Sequence, residues 1–149
     1  MVRIATLGLA LLVIVSLGFA PAPVYRPRQG SAEDELKNLQ GRWLLVSRTR
    51  EGSTPSHAVH AVVVKGNQWT FFDKAGTWHA SWLLSLDVKN SPKHIDMRGD
   101  GHKDTNRGIY EVKGDTLQFA FEMNTEMRPT NFRGDSPKWY VDVYRREKP

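Results

Sequence analysis

The sequence of 149 residues contains no cysteine. That excludes a disulfide framework, a thiolate nucleophile, Cys-ligated zinc and iron–sulfur clusters. Gly-x-Ser-x-Gly is missing as well, and no serine stands in a recognisable nucleophile elbow. Nor is there a dominant sign of charge. Lys and Arg number 21 against 16 Asp and Glu, for a net +5. Arg3, Arg26 and Arg28 lie near the N-terminus, and without them +2 remains. Acids and bases alternate through the rest, as in Asp100, Lys103, Asp104 and Arg107. Such a mixed, solvated surface argues against a nucleic-acid partner.

The five histidines are scattered, at 57, 60, 79, 94 and 102. On a strand His57 and His60 would face opposite sides, so they offer no ligand spacing. The loop Asp100-Gly-His-Lys-Asp104 lacks the carboxylate ladder and terminal Glu of a calcium loop. Arg98-Gly-Asp100 and Arg133-Gly-Asp135 fit turns, which favour Gly and Asp. The acidic residues show no recognisable catalytic pair. The sequence therefore assigns no catalytic residue, no metal ligand and no cofactor, and does not describe an enzyme.

The N-terminus is organised differently from the rest. After Arg3, residues 4–19 carry no charge and only Thr6 and Ser16 as polar side chains. A positive start followed by a short apolar run has the form of a secretory leader, and the run is short for a membrane span. Ala20 and Ala22 offer small residues for cleavage, but a proline follows each. Residues 1–20 thus read as a signal peptide or, alternatively, as an uncleaved anchor through 4–19. Residues 21–32 read as a Pro-rich linker, because three prolines fix φ and remove amide donors. Residues 33–149 form the folded domain. The expected location is extracytoplasmic, periplasmic or secreted, with contact to a membrane only through the N-terminal segment.

Ser31 to Leu39 has the marks of a short helix, with a capping serine, acids in the first turn, and Leu36 and Leu39 on one face. The apolar period then changes from that of a helix to that of a strand. Strands are expected at Trp43–Thr49, Val62–Val64, Trp69–Phe72, Trp78–Leu86, His94–Met97, Ile109–Val112, Thr116–Glu122 and Trp139–Tyr144. Tight turns at Gly66-Asn67 and Lys113-Gly-Asp115 separate some of them. Trp78, Ala80, Trp82, Leu84 and Leu86 share one face of the fourth strand. Leu117, Phe119 and Phe121 share one face of the seventh. In the last strand Trp139, Val141 and Val143 point one way and Tyr140, Asp142 and Tyr144 the other. About eight antiparallel strands without βαβ spacing favour a closed up-and-down barrel, since closure removes unpaired edges. A sandwich is the alternative.

Leu39-Gln-Gly41-Arg-Trp43 after a short helix is similar to the Gly-x-Trp signature of lipocalins. Together with Pro92-Lys-His-Ile-Asp96, Gly108-Ile-Tyr-Glu-Val112, Gly114-Asp-Thr-Leu117 and Arg128-Pro-Thr-Asn-Phe132, it resembles an uncharacterised lipocalin-like domain family abundant in planctomycete bacteria. The resemblance covers roughly residues 33 to 147 and implies a mostly β, lipocalin-like barrel of about eight strands with a short N-terminal helix. It brings no established activity. It implies a structural set as well: Gly41 and Trp43 at the closed end of the barrel, with Arg145 or Arg146 packed across the indole. A guanidinium over an indole is worth about 0.5–2 kcal/mol.

Trp69, Trp78, Trp82, Phe119 and Trp139 are the candidate ligand-binding residues, read as inward-facing aromatics. Two functional readings stay open at this point. One is a barrel holding a small apolar ligand. The other is a filled barrel that serves as a structural or protein-interaction module of the cell envelope.

Overall fold

The chain enters its domain through a self-capped helix, α1 (Ala32–Leu39). Ser31 Oγ accepts from the Asp34 amide at 3.1 Å, and the Asp34 carboxylate accepts from the Ser31 amide at 3.3 Å. Two orphan donors are thereby satisfied reciprocally. Glu33, Asp34 and Glu35 crowd the positive end of the helix dipole, and Lys37 lies in the last turn. In this computed structural model residues 30–53, 59–99, 105–122 and 127–148 are described. The leader, most of the linker, and the segments 54–58 and 100–104 with His57 and His102 lie outside that set.

Eight strands follow: β1 (Gly41–Thr49), β2 (Ala61–Lys65), β3 (Gln68–Phe72), β4 (Trp78–Asp87), β5 (Lys93–Gly99), β6 (Thr105–Lys113), β7 (Thr116–Phe121) and β8 (Tyr140–Arg146). Each pairs antiparallel with the next, and β8 pairs with β1, closing the barrel in sequence order. This is the closed, mostly β up-and-down barrel that the apolar alternation favours, in the lipocalin-like form with one preceding helix that the resemblance implies. β6 begins earlier than that alternation alone suggests, because Asn106 and Gly108 are not apolar yet both face the interior. Gly108 sits where bulk is forbidden. A Cβ there would lie 2.7 Å from Ala120 O and 2.9 Å from Phe119 Cε2.

The interior row runs through Trp43, Val62, Val64, Trp69, Phe71, Leu84, Ile95, Met97, Tyr110, Leu117, Phe119, Phe121 and Tyr144. Two irregularities re-aim side chains. In β1 the register shifts between Leu45 and Ser47. Val46 is thrown outward at 59% exposure. Beyond it the inward parity changes from odd to even, so Arg48 faces inside opposite Asp142. In β4, Phe71 pairs with Ala80 and Phe72 with Trp78, leaving His79 as an extra residue. That bulge removes Trp78 from the expected inward row.

The outer face also has an apolar patch. Ile109, Ala120 and Val141 are buried there beneath Phe132 and Trp139. The segment from Met127 to Trp139 folds back over the barrel and covers them. Arg128 fastens it, donating to Gly108 O and to Asp96 Oδ1, both at 2.6 Å. Three of the segments that carry the family resemblance therefore meet in one structural clasp. Gly134 is buried against Thr49, and its carbonyl accepts from the Gly52 amide at 2.9 Å. Of the two Arg-Gly-Asp tripeptides, this second one lies in the covering segment. In the first, Arg98 and Gly99 belong to strand β5, where a turn was expected, and Asp100 lies outside the described residues.

Candidate functional site

One end of the barrel is shut. Trp43 is fully buried, and its Nε1 donates to Leu39 O at 2.8 Å, which ties the indole to the end of α1. The Arg146 guanidinium lies over the ring at 4.0 Å. The same guanidinium caps α1, donating to Gln40 O and Asn38 O at 2.6 Å each. Of the two candidate arginines, Arg146 takes this role. Arg145 is exposed on the outer face of β8, because alternation places only every second residue inward. Gly41 holds φ at 109°, and a Cβ there would approach Arg146 Nη1 at 3.7 Å. The positive φ, and not the arginine above it, is what favours glycine here. Beside this end, Glu35 pairs with Lys93 at 2.5 Å. Burial pushes the Tyr110 hydroxyl upward in pKa, with the Glu35 charge adding to it.

The waist of the barrel is filled with rings. Trp69 meets Phe119 at 5.3 Å and the edge of Tyr144 at 6.1 Å, and all three are fully buried. Phe119 stacks on Phe121 at 4.8 Å. Trp69 and Phe119, two of the five aromatic candidates, are thus core residues below any free space.

Above the waist sits a buried ion pair. Arg48 Nε donates to Asp142 Oδ1 at 2.7 Å and Arg48 Nη2 to Asp142 Oδ2 at 2.6 Å. The Tyr144 hydroxyl donates to the same Oδ2 at 2.7 Å. Asp142 is 0% exposed and the Arg48 side chain 11%. Burial opposes the charge on Arg48, but the hydrogen bonds and charge of Asp142 outweigh it and hold its pKa above the ordinary value. Burial, reinforced by Asp142, raises the pKa of the Tyr144 hydroxyl well above 10, with Arg48 only partly offsetting the rise. The guanidinium also lies over Tyr140 at 5.3 Å and Phe121 at 5.6 Å. Taking two charges out of water costs several kcal/mol per ion, and only such a bidentate, hydrogen-bonded geometry offsets it.

On top of this pair, toward the end opposite α1, the interior opens into a cavity of about 200 Å³. Arg48, Phe71, Ala80, Trp82, Met97 and Phe121 line it, with Val59, His79 and Asn106 completing the wall. Its surface is mostly apolar. His79 pairs with Asp73 at 3.4 Å. Among the described residues no three His, Asp or Glu side chains gather as a metal site would require.

Of the aromatic candidates, Trp82 alone lines this cavity. Trp78 is 59% exposed, and its Nε1 donates to Ser81 Oγ on the outer face at 3.0 Å, so the inward reading is corrected. Trp139 is likewise outside the barrel, over Ile109, Ala120 and Val141. The alternation in β8 is as expected, but the face turned inward is that of Tyr140, Asp142 and Tyr144. Apolar residues occupy both faces here, and the more polar one is inside because Arg48 awaits it. The residues missed by the sequence reading are Arg48 and Asp142. The available signal was the pattern Tyr-x-Asp-x-Tyr at 140–144, an acid between two aromatics on one strand face. Compared with known protein families, curated proteins and solved structures, the chain has no match.

Proposed function

We propose that this chain is an exported binding barrel that holds one small, largely apolar molecule in the cavity at its open end. The carrying observation is the contrast within one interior. The closed end and the waist are filled by fully buried rings, Trp43, Trp69, Phe119 and Tyr144, whereas about 200 Å³ stays open beside Trp82 and Phe121. An apolar cavity of about 150 Å³ accepts a benzene-sized guest, and drug-sized ligands occupy roughly 300–1,000 Å³. The volume therefore suits a single ring with a small substituent. It does not suit a retinoid, a long fatty acid or haem. The resemblance to a lipocalin-like family and the secretory form of residues 1–20 support the same reading of an extracytoplasmic carrier or sensor.

Titration of intrinsic tryptophan fluorescence with isopropylbenzene tests it, because Trp82 lines the site. Saturable change is expected, and Ala80→Leu, which fills the cavity from its wall, should abolish it without lowering the melting temperature by more than a few degrees. Saturation that persists in Ala80→Leu would move the ligand elsewhere. The exposed Trp78 favours the second reading, an envelope module acting through its outer surface. A pull-down from envelope extract that depends on Trp78 while the cavity binds nothing would select that reading.

A further inference from the structure

Arg48 brings a charge to the wall of an otherwise largely apolar cavity, and its guanidinium is only half used. Asp142 holds the edge formed by Nε and Nη2, at 2.7 and 2.6 Å. Nη1 carries two further N–H groups outside that pair, on a side chain that lines the cavity and keeps 11% of its surface exposed. A partly desolvated donor of this kind is costly to leave unmade. The charge itself is already answered, because Asp142 neutralises it at bidentate distance. His79, the other basic side chain on the wall, is answered by Asp73. What the cavity lacks is therefore an acceptor atom and not a counter-charge. A carboxylate ligand would leave a net negative charge beside the fully buried Asp142, and desolvation would oppose it. A neutral carbonyl oxygen accepts from Nη1 without that cost.

We propose that the cavity selects small, neutral ring compounds carrying one carbonyl oxygen, such as aromatic ketones, aldehydes or amides, with that oxygen docked on Arg48 Nη1. The inference rests on the binding reading above and adds the ligand class. Trp82, Phe71 and Phe121 enclose the ring. The pair Arg48–Asp142 is then a recognition device as well as a structural one, which accounts for a buried charge where an apolar residue would pack at lower cost.

Isothermal titration of the full chain at neutral pH with acetophenone, isopropylbenzene and benzoate separates the possibilities. The three have the same number of non-hydrogen atoms and differ in the acceptor. A hydrogen bond to a charged donor corresponds to a factor of at least about ten in affinity. Acetophenone is expected to bind at least about ten-fold more tightly than either of the others. In Arg48→Met/Asp142→Leu, which removes both charges together, its preference over isopropylbenzene should vanish while isopropylbenzene still binds. Equal binding of acetophenone and isopropylbenzene to the unaltered chain, or benzoate as the tightest of the three, overturns the carbonyl assignment and leaves the cavity as a binding site. Failure of all three to saturate overturns the binding reading itself, and the assignment with it. The comparison on the unaltered chain decides even where the double variant does not fold.

Discussion

Tyr144 shows how one side chain ties the barrel's stability to pH. Its hydroxyl donates to Asp142 inside the core and is fully buried. In the folded chain its pKa is raised well above the ordinary 10, by burial first and by Asp142 second. A group whose folded pKa is raised contributes stability that is complete below the unfolded pKa and lost as pH rises past it. The urea midpoint should therefore fall steeply above about pH 10, with Tyr110 adding in the same sense. Tyr144→Phe should lose about 1–3 kcal/mol near neutrality, since a charged acceptor is left with one partner fewer. Above pH 10 its deficit should shrink, because phenylalanine has no proton to lose. A deficit that stays constant from pH 7 to pH 11 would show that the Tyr144 hydroxyl titrates alike in both states. The residue scale is also where sequence reading failed. Trp78 follows the alternation of β4 in the sequence, and a single extra residue, His79, turns it outward. Nothing local in the sequence marks that insertion. Arg48 and Asp142 are separated by 94 positions, so neither explains the other until the strands are placed side by side.

At the scale of elements, α1 acts as a plug, and its signals were legible because they are local. Ser31, the acids of the first turn and the leucine pair fix the helix within a dozen residues. Trp43 and Gly41 were legible for a different reason, through the recurring Gly-x-Trp pattern. The plug is held by a stack of α1, Trp43 and Arg146, joined by the Trp43 Nε1 bond to Leu39 O and the two guanidinium bonds to α1 carbonyls. Trp43→Ala should cost about 3–5 kcal/mol, as expected of a fully buried large side chain. Arg146→Met should cost less, because the packing of the stem survives and what is lost is the cation–ring contact, the carbonyl caps and a half-exposed pairing with Asp115 at 3.9 Å. Denaturant unfolding of both variants checks the order. An unchanged midpoint for Trp43→Ala would remove the indole from any role in closing the barrel. The covering segment between Met127 and Trp139 behaved oppositely. Its Trp139 looks like the start of an inward strand row, yet it serves to roof an outer patch that only the folded sheet assembles.

At the scale of the molecule, the charge is unevenly placed. Three of the net five positive charges sit before the domain, leaving a nearly balanced barrel. Mass spectrometry of the N-terminus after cell fractionation is expected to find a mature start between Pro21 and Glu33 outside the cytoplasm, or an intact Met1 in the membrane fraction for an anchored form. An intact Met1 in soluble cytosol would overturn the export proposal. The seam between β1 and β8 has a consequence for how the chain is made. Both the Arg48–Asp142 pair and the Arg146 guanidinium over Trp43 cross it, joining the first strand to the last in chain order. During synthesis the ribosome delivers β1 long before β8, so the emerging chain holds an unpaired Arg48 and an open edge until the final strand is released. Native closure is thus a late, long-range event, of the kind that slows folding and leaves time for chaperones to engage. A chain that cannot complete itself while being made stays open to threading until β8 emerges.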